Sequence, residues 1–196
     1  VTFTLLDGTT ATVTFLGEKK TVGKGETASF KAENPRLWSA EDPYLYDMLI
    51  ENGGEFIGEK VGIRTTEVKN GVYLFNGKPV KLMGVNRHDF NPKTGATVTI
   101  ENIIEDFTLM KKLNVNAIRT SHYPNCPMFY KLADEYGFYV MDESDLESHG
   151  VVSRFTGFEN ANYDEIAEDP QFRQAIIERQ KCNIGRDKIR PCVFAW

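Results

Sequence analysis

The stretch NAIRTSHYPNCPMFYKLADEYGFYVM, residues 116–141, decides the fold. It opens with Asn116-Ala117-Ile118-Arg119-Thr120, a short strand former. It continues through Phe129, Leu132, Ala133 and Tyr136, apolar residues at helical spacing, and Gly137 then stops the helix. It closes on Phe138-Tyr139-Val140-Met141, a second apolar strand. A strand, a helix and another strand in so short a span form the unit of a parallel sheet covered by helices.

The pattern extends in both directions. Upstream, Val80-Lys81-Leu82-Met83-Gly84-Val85 reads as a buried strand. A helix follows it, with Thr99 as N-cap and Ile100, Ile103, Ile104, Phe107 and Met110 at helical spacing. Downstream, Asp169-Pro170 opens a third helix carrying Phe172, Ala175 and Ile176 on one face. Cys192-Val193-Phe194-Ala195-Trp196 reads as a fourth strand. A doubly wound sheet and a (β/α)8 barrel both fit. Four strands are half a barrel with an open apolar edge, so a fragment of a longer protein is expected.

Before residue 70 the period is two. Val1, Phe3 and Leu5, then Ala11, Val13 and Phe15, alternate with polar residues, mostly threonine. Strands are expected over Tyr44 to Ile50 and Phe56 to Arg64, joined by the turn Asn52-Gly53-Gly54. Asn76-Gly77 predicts a second tight hairpin. The expected architecture is an immunoglobulin-like β-sandwich over residues 1–70, cut at its N-terminus. Residues 71–196 form the α/β part, cut at its fourth strand.

The chain has 196 residues and a net charge of −5, with a pI near 5.3. That acidity argues against a nucleic-acid partner, which needs a basic surface. No apolar run approaches the roughly 20 residues of a membrane span, so no membrane partner is expected. Cys126, Cys182 and Cys192 are odd in number and lack C-x-x-C spacing, which gives neither a disulfide framework nor a zinc site.

Polar chemistry gathers where the strands end, the face on which βα barrels carry their sites. Asn86-Arg87-His88-Asp89 closes the first strand. Arg119 and Ser121-His122-Tyr123-Pro124 close the second. Asp142-Glu143 closes the third and leads to Asp145, Glu147 and His149. All three histidines of the chain follow successive strands. One alone reads as an ordinary loop residue; three together point to a site. Glu147 and His149 can offer an oxygen and a nitrogen to one cation, or be an exposed glutamate and a histidine that caps a turn. Glu143 and Glu147 are a tempting carboxylate pair for glycosidic chemistry. The alternative is that Arg119 neutralises Asp142 or Glu143 as a supporting ion pair. The long loop Gly150 to Asp169, with Phe155, Phe158 and Tyr163, suits a site wall or lid, or an ordinary surface loop.

Gly84-Val85-Asn86-Arg87-His88, Asn116 to Pro124, and Asp142-Glu143 followed by Leu146-Glu147-Ser148-His149-Gly150 resemble glycoside hydrolase family two in its bacterial β-galactosidase form. Asn34-Pro35-Arg36-Leu37-Trp38-Ser39 and Asp42-Pro43-Tyr44-Leu45-Tyr46 resemble the family's sandwich signature. Arg186-Asp187-Lys188 with Pro191-Cys192-Val193 resembles the approach to its fourth barrel strand. The Glu-x-His-Gly ending is closer to β-galactosidases than to the related β-glucuronidases and β-mannosidases. The segment after Asn91-Pro92 departs from the His-rich version of some members.

The resemblance implies a sandwich followed by the first half of a (β/α)8 TIM barrel, and retaining hydrolysis of terminal β-D-galactosides such as lactose by the parent protein. It implies that both catalytic glutamates lie beyond Trp196, so this chain alone is expected to be inactive. His88 and His122 match residues that hold the galactosyl hydroxyls. Arg119 matches the arginine that orients the nucleophile. Glu147 and His149 match ligands of Mg²⁺, with Mn²⁺ as a substitute and Na⁺ a further cation of the parent. A homo-oligomeric parent in the bacterial cytoplasm is expected. The rival readings are another β-glycosidase of the family and a catalytically silent sugar-binding fragment.

Overall fold

A computed structural model describes residues 1–152 and 165–196. The chain divides into two compact units, Val1–Val80 with Asp134–Gly137, and Lys81–Ala133 with Phe138–Trp196.

The first unit is built from β1 (Thr2–Thr4), β2 (Thr10–Phe15), β3 (Glu18–Gly23), β4 (Thr27–Ser29), β5 (Tyr46–Asn52), β6 (Glu55–Val61), β7 (Thr66–Lys69), β8 (Val72–Phe75) and β9 (Lys78–Pro79). An antiparallel sheet runs in the order β3-β2-β5-β6, β1 pairs with β4, and β7-β8-β9 form a third sheet. The alternation read in the sequence sets the core: Ala11, Val13 and Phe15 are buried while the threonines between them are not. They pack with Val22, Ala28, Phe30, Met48 and Val61. The rings of Phe15 and Phe30 meet edge to face at 5.7 Å. The cluster lies between the β1–β4 pair and the four-stranded sheet, which is a β-sandwich core.

Both expected hairpins form. Asn76 and Gly77 have φ of 52° and 74° between the paired Phe75 and Lys78. Two positive φ values in a two-residue loop match the twist of the flanking strands. The strand expected over Phe56 to Arg64 stops at Val61, and Phe56 and Ile57 are exposed. As an edge strand, β6 has a neighbour on one side only.

The second unit contains β10 (Gly84–Arg87), α1 (Ile100–Lys112), β11 (Ala117–Thr120), α2 (Pro127–Tyr136, its end counted with the first unit), β12 (Tyr139–Met141), α3 (His149–Val152), α4 (Glu165–Glu168), α5 (Pro170–Asp187) and β13 (Val193–Ala195). The strands form one parallel sheet in the order β10-β11-β12-β13. Sequential parallel strands with helical crossovers are the winding of a (β/α)8 barrel. Thr99 caps α1 as expected, and the cap is reciprocal: Asn102 N–H donates to Thr99 Oγ1, and Thr99 N–H donates to Asn102 Oδ1 at 3.1 Å. Ile103, Phe107, Phe129 and Phe138 are fully buried, with the Phe107 ring 5.3 Å from Phe129 and 4.7 Å from Phe138.

Two further expectations differ from the structure. The apolar run 80–85 is not a buried strand. The strand begins at Gly84, and Leu82, Met83 and Val85 are exposed. Leu82 and Met83 precede β10, and β10 is an edge strand with β11 as its one neighbour among the described strands, so Val85 is covered on one side only. Phe172 on α5 is likewise exposed. Phe155, Phe158 and Tyr163 of the expected loop lie outside the described residues.

Candidate active site

The site is assembled at the C-terminal ends of β10, β11 and β12. At the end of β10 the chain still alternates: Arg87 and Asp89 are buried and His88 is exposed. The buried pair therefore turns His88 outward. Arg87 donates from Nη1 to Asp89 Oδ1 and to Asn125 Oδ1, each at 2.6 Å, and from Nε to Asp106 Oδ2 at 3.0 Å. Asp89 Oδ2 accepts from the Cys126 amide at 2.9 Å. These bonds tie the loop carrying His88 to the loop carrying His122. The His88 ring lies 5.7 Å from the His122 ring and 5.7 Å from that of Tyr123.

Arg119 closes on Glu143 as a fork, Nε to Oε2 at 2.5 Å and Nη2 to Oε1 at 3.0 Å. The ion pair considered for Arg119 is thus with Glu143 and not Asp142. His122 Nδ1 lies 2.9 Å from Glu143 Oε1 and 3.1 Å from Arg119 Nη2. A protonated Nδ1 donates to the Glu143 carboxylate, whereas a bare Nδ1 would accept from Arg119 Nη2; the contact to the anionic oxygen is the shorter of the two. We assign the proton to Nδ1. Burial works to raise the Glu143 pKa, but the hydrogen bonds from Arg119 and His122 outweigh it and hold the carboxyl below its usual value. Glu143 is therefore ionised at neutral pH and committed to these two partners.

Asp142 points the other way and is fully buried. Its Oδ1 accepts from the Tyr130 hydroxyl at 2.5 Å. Burial first, then the repulsion of Asp187, pushes its pKa up to about 6, against the hydrogen bonds of Tyr130 and Asn183 and the Arg186 charge.

Glu147 and His149 come together, with Nδ1 3.2 Å from Oε1. The Glu147 carboxylate also accepts from the His149 amide at 3.4 Å, so the side chain that caps this turn is Glu147 and not His149. His122 Nε2 is 3.9 Å from Glu147 Oε2. Among the described residues no group of three or more metal-ligating side chains surrounds one point. One oxygen and one nitrogen fit two corners of an octahedral Mg²⁺ shell and leave the others to further ligands. A cleft of about 370 Å³ opens along the sheet, lined by Val85, Asn86, Arg119, Met141 and Phe194 among others.

Sequence reasoning gathered His88, Arg119, His122, Glu147 and His149 at one end of the sheet. It missed the His122–Glu143 bond and the buried Arg87–Asp89–Asp106–Asn125 network. One signal was present: Arg87 and Asp89 are charged residues two apart on a strand read as buried, and such charges must pair.

Residues 66–196 match the family described as glycosyl hydrolases family 2, TIM barrel domain, and residues 1–64 match glycosyl hydrolases family 2. The chain belongs to glycosyl hydrolase family 2. It is 42% identical to a β-galactosidase of Actinobacillus pleuropneumoniae over 86% of this chain and 19% of that protein. It is 44% identical to a β-galactosidase of Staphylococcus xylosus over 85% of this chain and 17% of that protein. The chain thus spans less than a fifth of the length of these relatives. Among solved structures, a β-glucuronidase from Ruminococcus gnavus in complex with uronic isofagomine superposes with a TM-score of 0.80 at 31% identity, covering 97% of this chain and 33% of that one. A β-D-glucuronidase of Dictyoglomus thermophilum gives 0.75 at 27% identity, over 94% and 32%.

Proposed function

We propose that the protein carrying this chain hydrolyses terminal β-D-galactosides with retention of configuration, and that these residues form one wall of its sugar site. The observation that carries the reading is the Arg119–Glu143–His122 cluster beside His88, at the ends of consecutive parallel strands. His88 and His122 offer imidazole nitrogens to sugar hydroxyls. Glu143 holds Arg119 by Nε and Nη2, which leaves Nη1 to orient a nucleophilic carboxylate. A retaining mechanism needs two carboxyl groups about 5–5.5 Å apart. Glu143 is committed to Arg119 and His122, so that pair is assigned to parts of the protein other than residues 1–196, and this chain alone is expected to be inactive.

Glu147 and His149 are proposed to hold Mg²⁺, or Mn²⁺ in its place. The cation supplies positive charge that favours the ionised form of a neighbouring carboxyl. A homo-oligomeric, cytoplasmic parent belongs to the same proposal.

A β-glucuronidase is the second reading, favoured by the superposition on the R. gnavus enzyme. The identity to β-galactosidases supports a neutral sugar instead. The test is the kcat/KM of the intact protein on nitrophenyl β-D-galactoside, β-D-glucuronide and β-D-mannoside. The galactoside should lead by at least about 100-fold, since a site built for one set of hydroxyls leaves buried polar groups unpaired with another. A leading glucuronide or mannoside would overturn the reading.

A further inference from the structure

We propose that Glu143 is a positioning residue for this reaction: it clamps the Arg119 guanidinium and the His122 imidazole into one unit and fixes the His122 tautomer, so that Arg119 Nη1 and His122 Nε2 face the sugar. The inference rests on the glycosidase reading above.

The clamp follows from register. β11 and β12 are parallel, with Arg119 opposite Met141. Glu143 lies two residues beyond Met141, one strand period further along the same face, where the long Arg119 side chain reaches its carboxylate. The Glu143 amide is itself anchored, donating to Thr120 Oγ1 at 2.9 Å. The carboxylate thus sits on a fixed backbone at the strand end. Its Oε1 serves both partners, at 3.0 Å to Arg119 Nη2 and 2.9 Å to His122 Nδ1. One acceptor atom shared by two donors makes their placements interdependent.

With its proton held on Nδ1, His122 keeps a bare Nε2. That atom is 3.9 Å from Glu147 Oε2, beyond hydrogen-bond reach, so it stays available to accept from a hydroxyl. A mispointed imidazole would present a donor where an acceptor is needed. The pair is also partly exposed, with side-chain accessibilities of 37% for Arg119 and 23% for Glu143. Ion pairs in such settings contribute little to folding. Loss of the clamp should therefore register in catalysis and not in the melt.

The test compares Glu143→Gln with wild type in the intact protein, using nitrophenyl β-D-galactoside. We expect kcat to fall about 100-fold, the scale of a misplaced group, with KM within about threefold and an unchanged melting temperature. His122→Ala should cost far less in the Glu143→Gln background than in wild type, because the imidazole is already misplaced. A kcat within threefold of wild type, or costs that multiply independently, would overturn the proposal. If Glu143→Gln does not fold, Glu143→Asp takes its place. Its shorter carboxylate cannot span both partners, so kcat should fall at least tenfold, and a wild-type kcat would overturn the clamp.

A second readout does not depend on turnover. In ¹⁵N-histidine-labelled protein, with the His122 signal identified by its loss in His122→Ala, the nitrogen shifts should show the Nδ1–H tautomer in wild type and a mixture in Glu143→Gln. The same tautomer in both would refute the inference. Absence of hydrolysis of any glycoside by wild type would instead sink the functional reading, and the nitrogen shifts would still decide the clamp.

Discussion

Replacing Asp142 by asparagine should make the protein more stable at neutral pH, although it alters a fully buried residue. Asp142 receives a hydrogen bond from Tyr130 at Oδ1. Its Oδ2 and the buried Asn183 side chain make no well-formed hydrogen bond among the described residues, although Asn183 lies close enough to Asp142 to work against the rise in its pKa. Burial and the neighbouring Asp187 raise its pKa from 3.8 to about 6. Because the folded-state value lies above the unfolded one, the stabilising proton is fully present below pH 3.8 and is lost as pH rises through 6. Above that, the ionised carboxylate destabilises the fold by about 3 kcal/mol, taking 1.36 kcal/mol per unit. An asparagine keeps the acceptor for Tyr130, carries no charge to desolvate and adds a donor beside Asn183 and Asp187. After allowance for imperfect geometry, Asp142→Asn should gain about 1–2 kcal/mol at pH 7.5 and nothing at pH 4. Denaturant unfolding of both proteins from pH 4 to 8 measures it. A variant destabilised by the same amount at every pH would refute the argument, as that would mean Asp142 is ionised and satisfied throughout.

Three further outcomes follow from the geometry. His88→Ala and His122→Ala in the intact protein should each raise the barrier by about 2–4 kcal/mol, lowering kcat as well as raising KM; unchanged kcat/KM would mark an ordinary loop histidine. A chelator should reduce activity and Mg²⁺ or Mn²⁺ restore it, with Glu147→Gln blunting the response; equal chelator sensitivity in both proteins would remove Glu147 from the ligands. Gly137→Ala should cost about 2–4 kcal/mol, read from a thermal melt. Its φ is +75°, and an added Cβ would lie 2.3 Å from the Ala40 carbonyl oxygen; a melt like wild type would contradict that close approach.

What the sequence disclosed was local chemistry. Thr99 and Asp169 announced helix starts because a cap depends on neighbours two or three residues away, and both caps form. Asn76-Gly77 announced its hairpin because only such residues readily take two positive φ values. The alternation of Ala11, Val13 and Phe15 announced a sheet with one buried face. Residues 80–85 misled because an apolar run does not say how many of its sides are covered, and β10 is an edge strand that begins only at Gly84. The site was half legible. Strand ends placed His88, Arg119, His122 and Glu143 near one another, but the choice of Glu143 over Asp142 as the arginine's partner depends on which way each side chain leaves the sheet. The Arg87 network joins residues from the end of β10, from α1 and from the loop after β11. No periodicity records such a meeting. It follows only from the register Arg87↔Thr120 and the packing of α1.

The most direct test of the account is the anomer first released when the intact protein cleaves nitrophenyl β-D-galactoside, followed by proton NMR before mutarotation. Two carboxyl groups in a retaining arrangement, with Arg119 orienting the nucleophile, predict β-galactose first and the α anomer only later. Initial release of α-galactose, or hydrolysis of the glucuronide with the galactoside untouched, would contradict it.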